Sequence, residues 1–376
     1  MIDYSEVPKA IKSNYPMSEP GSRIKLYEGR IELSQNGISD IGPGIISFEW
    51  IPSPHVSFRI TTANSVPNIN YHDSYANVLV RELKLNAQAM LTGCNPNIKE
   101  LTGEFIETVD LGQPKNLQYA RFHLVNFHDF IGQGITYTGS DVASRRLKLE
   151  AQDWLIKLDR VENFSTLSEQ AKGNNPNFIS HVGEISKLDG EIFSLDDFDF
   201  TRALHSLFSF MRGRWTPPVL LAGYDENGSK IWERWWSNLT FRTPSNSDNW
   251  FPKQLTPELN DLADSLFSKK EDSYWSDVSS IVMNWYMQAH QPTLLNIGVS
   301  SAVTGLEALA WAILSEAKNE CGKSKWSEVE LKKLRIKRRL KAVLKELSIP
   351  LEIPNELEAL RGYSGVDKIV DLRNCS

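Results

Sequence analysis

Arg373 and Asn374 stand directly after an apolar turn that holds Ile369, Val370 and Leu372. A guanidinium offers a planar fork of donors, and an amide both donates and accepts. Side by side at a helix start the two can hold a phosphate; the plain alternative is a solvated terminal pair. A second candidate lies upstream. Residues 331–345, LKKLRIKRRLKAVLK, contain no acidic side chain. Lys337, Arg338, Arg339 and Lys341 belong to this run, which can track a phosphate backbone by releasing counterions. The competing reading is a solvated helix face, because Leu334, Ile336, Leu340, Val343 and Leu344 supply an apolar side for burial. A third candidate is Glu307, an acid inside an apolar helical stretch.

Other polar clusters carry less. His123 and His128-Asp129 lie in a stretch that alternates like a strand, where positions an odd number apart point to opposite faces. A shared metal is therefore not expected. His72-Asp73 falls in a polar loop, His205 on a helix, and His290 at a helix end where it meets the dipole. Trp232, Trp235 and Trp236 have faces on which a base can stack, although such side chains more often fill a core. The sequence has neither a glycine-rich phosphate loop ending in Lys-Ser/Thr nor a G-x-S-x-G elbow. No metal and no cofactor is expected.

The elements that position these residues change character once, near residue 250. Before it, β signals dominate. Residues 24–33, 45–50 and 56–62 are rich in β-branched and aromatic side chains, with Pro52 and Pro54 separating the last two runs. Residues 77–90 and 117–128 each alternate with period two, and 146–159 reads as two strand halves with a slip, a bulge. One helix interrupts them. It runs from about Phe198 to Met211, with Leu204, Leu207 and Phe208 on one side, Ser194 or Asp196 as its cap, and Gly213 at its stop. Asn227-Gly228 between apolar runs marks a hairpin. Beyond Pro252 the apolar period becomes three to four. Helices are expected from Pro257 to Phe267, around Trp275 to Ala289, around Val299 to Ile313 and around Ile336 to Leu347, with two short pieces after Glu356. The fold class is α+β: an antiparallel β-rich domain over 1–252, a sandwich or curved sheet with one inserted helix, then a helical bundle over 253–376.

Composition bounds the rest. Among 376 residues, 41 basic and 47 acidic side chains give a formal charge of −6. That excludes a uniformly basic nucleic-acid coat and leaves room for a local basic patch. Cys94, Cys321 and Cys375 are too few and too scattered for a disulfide framework or a four-thiolate zinc site. The N-terminal residues lack an apolar signal core. The stretch from Val299 to Ser315 contains Glu307 and is shorter than the ~20 residues a bilayer span needs. A cytoplasmic protein with no membrane partner is the expectation.

Three segments, taken in order, resemble a known family. They are ALHSLFSFMRGRW (203–215), TGLEALAW (304–311) and KIVDLRN (368–374). The chain resembles bacterial HEPN proteins of the ApeA-like anti-phage group, which join a β-rich sensing or regulatory domain to a helical HEPN domain. The resemblance implies metal-independent RNA cleavage in an abortive-infection type of defence. A histidine would help deprotonate the ribose 2′-hydroxyl, and an arginine would stabilise the charge on the phosphoryl oxygens. Arg373 and Asn374 match the family's arginine and polar residue, and Glu307 matches its acidic position, where it would orient Arg373. The resemblance further implies a homodimer, RNA as substrate and a phage-derived trigger. No histidine follows Asn374 in this sequence. The expectation is therefore a C-terminally shortened member, catalytically incomplete. The alternative is a non-catalytic β domain that binds a ligand, with a helical part that serves dimerisation.

Overall fold

The computed structural model describes residues 7–51, 54–62, 69, 75–95, 97–137, 142–172, 177–196, 198–235, 258–290, 295–318, 322–351 and 366. Expected features on residues 352–365 and 367–376, Arg373 and Asn374 among them, lie outside the described residues. The fold is α+β, with a β-rich part followed by a helical part.

The chain packs as two compact units that divide between Phe267 and Ser268. In the first, six strands close a barrel in the order β1-β2-β3-β6-β5-β4. They are β1 (Ile24–Gln35), β2 (Ile38–Glu49), β3 (His55–Thr61), β4 (Tyr75–Val80), β5 (Leu85–Asn95) and β6 (Glu100–Phe105). The ring closes where Leu33 of β1 pairs with Val78 of β4. Ile31, Phe48, Phe58, Val78, Ala89 and Leu101 point inward and are almost wholly buried. Alternation of apolar and polar positions sends every second side chain there.

The run 77–90 is not one strand. It turns back at Arg81–Leu83, a single 3-10 turn followed by Lys84 in the left-handed region (φ 53°). The alternation shifts by one residue across the turn, from Ala76, Val78 and Val80 to Leu85, Ala87 and Ala89, so Val80 and Leu85 pair facing the same core.

Eight further strands form an antiparallel sheet in the order β7-β14-β13-β8-β12-β11-β10-β9. These are β7 (Val109–Gly112), β8 (Tyr119–Val125), β9 (Gln133–Thr136), β10 (Val142–Ala151), β11 (Trp154–Arg160), β12 (Ile179–Lys187), β13 (Val219–Tyr224) and β14 (Lys230–Trp235). The expected bulge within 146–159 is instead a tight hairpin turning at Gln152-Asp153, with Ala151 opposite Trp154. The β13–β14 hairpin turns at Asn227-Gly228 as expected. Short helix α1 (Phe164–Gln170) follows β11.

Helix α2 (Phe200–Arg212) lies on one face of this sheet and buries Leu204, Leu207, Phe208 and Met211. Phe208 packs tilted on Phe122 and edge-on to Phe127. Gly183 leaves room for Phe122, since a Cβ there would sit 2.1 Å from its ring. The helix stops at Gly213, in the left-handed region that glycine reaches without strain (φ 70°). The residue before the helix is Asp199 rather than Ser194 or Asp196, and its carboxylate holds Thr201 and Arg202.

Helix α3 (Glu258–Glu271) begins with Leu259, Ala263 and Phe267 packed into the core under α2. Its Asp264 accepts from the backbone N–H and the side-chain amide of Gln152, fixing the β10–β11 turn.

In the second unit, α4 (Ser273–Ala289) and α5 (Leu295–Glu316) form an antiparallel pair. Trp275 Nε1 donates to Glu316, and Gly305 lies against Trp285. Helix α5 is 22 residues long. Within it, 296–316 is apolar and long enough to cross a membrane by length and composition, and about a third of its most apolar stretch is buried. Two shorter helices follow, α6 (Glu328–Lys333) and α7 (Ile336–Glu346). Leu331, Leu340 and Val343 close a small core with Ala310, Leu314 and Val366.

Candidate functional site

The acid-free run 331–345 is two helices rather than one. Ser327 caps α6 reciprocally with Glu330, and the helix ends at Leu334 in extended backbone. This break turns the two halves of the run toward each other. Arg339 of α7 is 8 % exposed and faces inward. Its Nη1 donates to Glu307 Oε1 at 2.8 Å, and its Nη2 donates to the carbonyls of Leu331 and Leu334 at 3.1 Å each. The guanidinium also lies 5.0 Å from the centre of the Trp311 ring. Carbonyls left over at a helix end attract a cation, and Arg339 fills that role for α6.

The sequence expectations for this region therefore separate. Glu307 is expected beside Arg373, yet its described partner is Arg339. Arg339 is expected on an RNA surface, yet it ties α7 to α5 and to the end of α6. Arg338 is exposed, and Lys337 and Lys341 are half-buried. Lys332, Lys333, Arg335 and Lys345 are exposed beside them. Of these, Arg335, Arg338 and Lys345 make no ion pair among the described residues. Arg335 and Lys345 were not singled out in the sequence, although both stand in the same acid-free run.

The β-rich unit holds a second arrangement that the sequence did not signal. Residues 8–17 run as a strap across the face of the eight-stranded sheet opposite α2. The strap starts as an edge pairing, with Thr136 N donating to Pro8 O and Ala10 N to Thr136 O. Next, Asp159 Oδ2 accepts from Ile11 N at 2.8 Å, and Arg146 Nη2 donates to Lys9 O at 3.0 Å. Arg146 and Asp159 form a two-pronged ion pair, both bonds 2.7 Å and both residues buried. Further along, Tyr224 Oη donates to Asn14 Oδ1, and Tyr15 packs edge-on against His123. Asn163 Nδ2 donates to Met17 O and pins the far end. Between strap and sheet lies a cavity of about 790 Å³.

Buried basic groups crowd the same unit. Burial pushes the His123 imidazole down to about 4, although its bond with Leu220 O works against this. Burial, and then the charge of Arg212, push His128 down to about 3. His181 is also held well below the usual histidine range, first by burial and then by His128 and Arg160. Arg212 itself is buried and lowered to about 10, by burial and by Arg214. These imidazoles are neutral at pH 7 and serve as packing groups; His181 stacks on Phe130 and meets Phe127 edge-on. Among the described residues, no three His, Cys, Asp or Glu side chains converge as a metal site.

Comparison with known proteins places these units in a described class. Residues 112–246 match the YopA central domain, and residues 272–375 match the YopA C-terminal domain. The first match spans most of the eight-stranded sheet and the second most of the helical unit. Among its relatives is the SPbeta prophage-derived uncharacterized protein YopA of Bacillus subtilis (strain 168). The two are 26 % identical over 360 residues, covering 90 % of this chain and 77 % of the relative, which makes them distant homologues. No solved structure matches the chain.

Proposed function

We propose that this chain is a protein of phage conflict, of HEPN ribonuclease lineage, in which the helical unit engages RNA and the β-rich unit responds to a phage-derived trigger. The observation that supports this is the sorting of side chains along α6 and α7. Leu331, Leu340, Val343 and one arginine, Arg339, turn inward, while Lys332, Lys333, Arg335, Arg338 and Lys345 are exposed. Lys332 pairs with Glu328, whereas Arg335, Arg338 and Lys345 make no ion pair among the described residues, and exposed cations of that kind bind a polyanion by counterion release. The prophage origin of the homologous protein supports a role in phage conflict. The proposal concerns binding of RNA by the exposed cations of α6 and α7.

The test is incubation of the purified chain with single-stranded RNA in EDTA, followed by gel shift and denaturing electrophoresis. The proposal expects retarded RNA, and absence of retardation at low salt would refute it.

A second reading makes the helical unit a dimerisation module beneath a ligand-binding β unit. It is favoured by Ile281, Ile297 and Leu306, large apolar side chains that α4 and α5 leave exposed. A homodimer suits both readings. Light scattering that finds a dimer, together with no RNA retardation, would favour the second.

A further inference from the structure

We propose that the cavity beneath the 8–17 strap is a binding site for a phosphorylated ligand of nucleotide size. This inference stands apart from the RNA reading, because it concerns only the β-rich unit. Its volume of about 790 Å³ falls in the range of small-ligand pockets, roughly 300–1,000 Å³. The lining combines an apolar floor with a few polar groups, the usual make-up of such pockets. Ile179 and Val182 of the sheet, with Met17 of the strap, form that floor.

The charges in the lining point to an anion. Lys9, Lys12 and Arg160 are set against one carboxylate, Glu162. Lys9 and Lys12 are exposed at the rim, and neither has an ion pair or hydrogen-bond acceptor for its ammonium among the described residues. Arg160 donates its Nη1 to Asp129 at 3.0 Å and lies 5.2 Å from the centre of the Phe164 ring, while its Nε is buried without a hydrogen-bond partner. An anion seated beside Arg160 would offset the cost of that buried, unpartnered group through the guanidinium charge. Two ammonium groups at the mouth suit a phosphate, as flexible point charges.

The rest of the lining suits a flat body attached to that phosphate. Tyr15 and Tyr137 contribute aromatic rings. Tyr137 is fixed by donating its hydroxyl to Arg160 O at 2.7 Å, and Tyr15 is seated edge-on against His123. Two rings held by other contacts give a planar ligand a prepared place to stack. Much of the cavity wall is the strap itself. A ligand seated there would bridge strap and sheet, so occupancy and strap docking are linked, and the ligand would stabilise the docked form.

The test uses the whole chain, calorimetric titration with AMP, GMP, CMP and UMP, and adenosine and inorganic phosphate as controls. The proposal expects at least one nucleotide to bind at least tenfold tighter than either control, and to slow proteolysis within 8–17. The variant Lys9→Gln/Lys12→Gln should weaken that binding at least tenfold and leave the melting temperature of the free protein unchanged, because both ammonium groups are exposed and unpaired. No heat with any nucleotide would overturn the proposal. So would binding as tight in the double variant as in the parent, or phosphate alone binding as tightly as the nucleotides.

Discussion

Replacing Asp159 with alanine tests how the strap is held. Asp159 is 1 % exposed and accepts three hydrogen bonds, two from Arg146 and one from Ile11 N. Its removal strands the Arg146 guanidinium, itself only 6 % exposed, and leaves the Ile11 N–H without its acceptor. Breaking a buried pair by deleting one partner costs about 3–5 kcal/mol. For a unit of this size that is a melting shift of roughly 6–20 °C. The orphaned backbone group loosens the strap as well. Urea denaturation followed by circular dichroism gives the energy, and limited proteolysis with mass spectrometry gives the state of residues 8–17. A second variant, Arg146→Leu/Asp159→Leu, separates the two effects. It removes both buried charges, so most of the stability should return, while the strap stays more cleavable than in the parent because Ile11 N and Lys9 O have lost their partners. The reasoning fails if Asp159→Ala costs less than about 1 kcal/mol, or if the double variant protects the strap as well as the parent does.

Four further outcomes follow from the same contacts. His123 has a folded value of about 4 against about 6.5 when unfolded, so the unfolded chain binds the extra proton between these values. Stability is full above about pH 6.5 and falls toward pH 4 by up to about 1.4 kcal/mol per pH unit for this group, with His128 and His181 adding in the same direction; urea titrations at pH 7 and pH 5 measure the slope, and a flat profile would contradict it. Phe208→Ala removes the α2 ring wedged on Phe122 and Phe127 and should cost about 3–5 kcal/mol by the same denaturation. Gly183→Ala drives a methyl into the Phe122 ring and should cost roughly 1–3 kcal/mol. Arg212→Met replaces a buried cation that has no carboxylate partner among the described residues, so the melting temperature should rise rather than fall.

The β-then-helix order was legible because period two gives way to period three to four near residue 250. The β13–β14 hairpin was legible because Asn227-Gly228 interrupts two apolar runs. The β4–β5 and β10–β11 hairpins were hidden because each turn is marked only by a one-residue shift in the alternation, which reads as one strand over 77–90 and as a bulge over 146–159. The barrel was hidden because closing it requires Leu33 to meet Val78, a pairing that no local pattern encodes.

At the site, the basic run was visible but its sorting was not. Arg339 turns inward because the helix breaks between Leu334 and Ile336 and exposes carbonyls that need a donor. Spacing puts Arg339, three residues after Ile336 and four before Val343, beside the apolar face, but nothing in LKKLRIKRRLKAVLK names Glu307 or the α6 carbonyls as its partners. The strap was invisible for a similar reason. Residues 8–17 have no periodicity of their own and take their course from Asp159, Thr136 and Tyr224, all distant in sequence.

The central claim is that the exposed cations of α6 and α7 meet RNA. Its most direct measurement is the salt dependence of single-stranded RNA affinity, by fluorescence anisotropy, for the parent and for Arg335→Gln/Arg338→Gln. The account predicts a linear fall of log affinity with log salt, and a slope shallower by about 1.4 in the variant, since each phosphate contact on a single strand contributes about 0.7. Equal slopes for the two proteins, or no measurable affinity at about 50 mM salt, would contradict it.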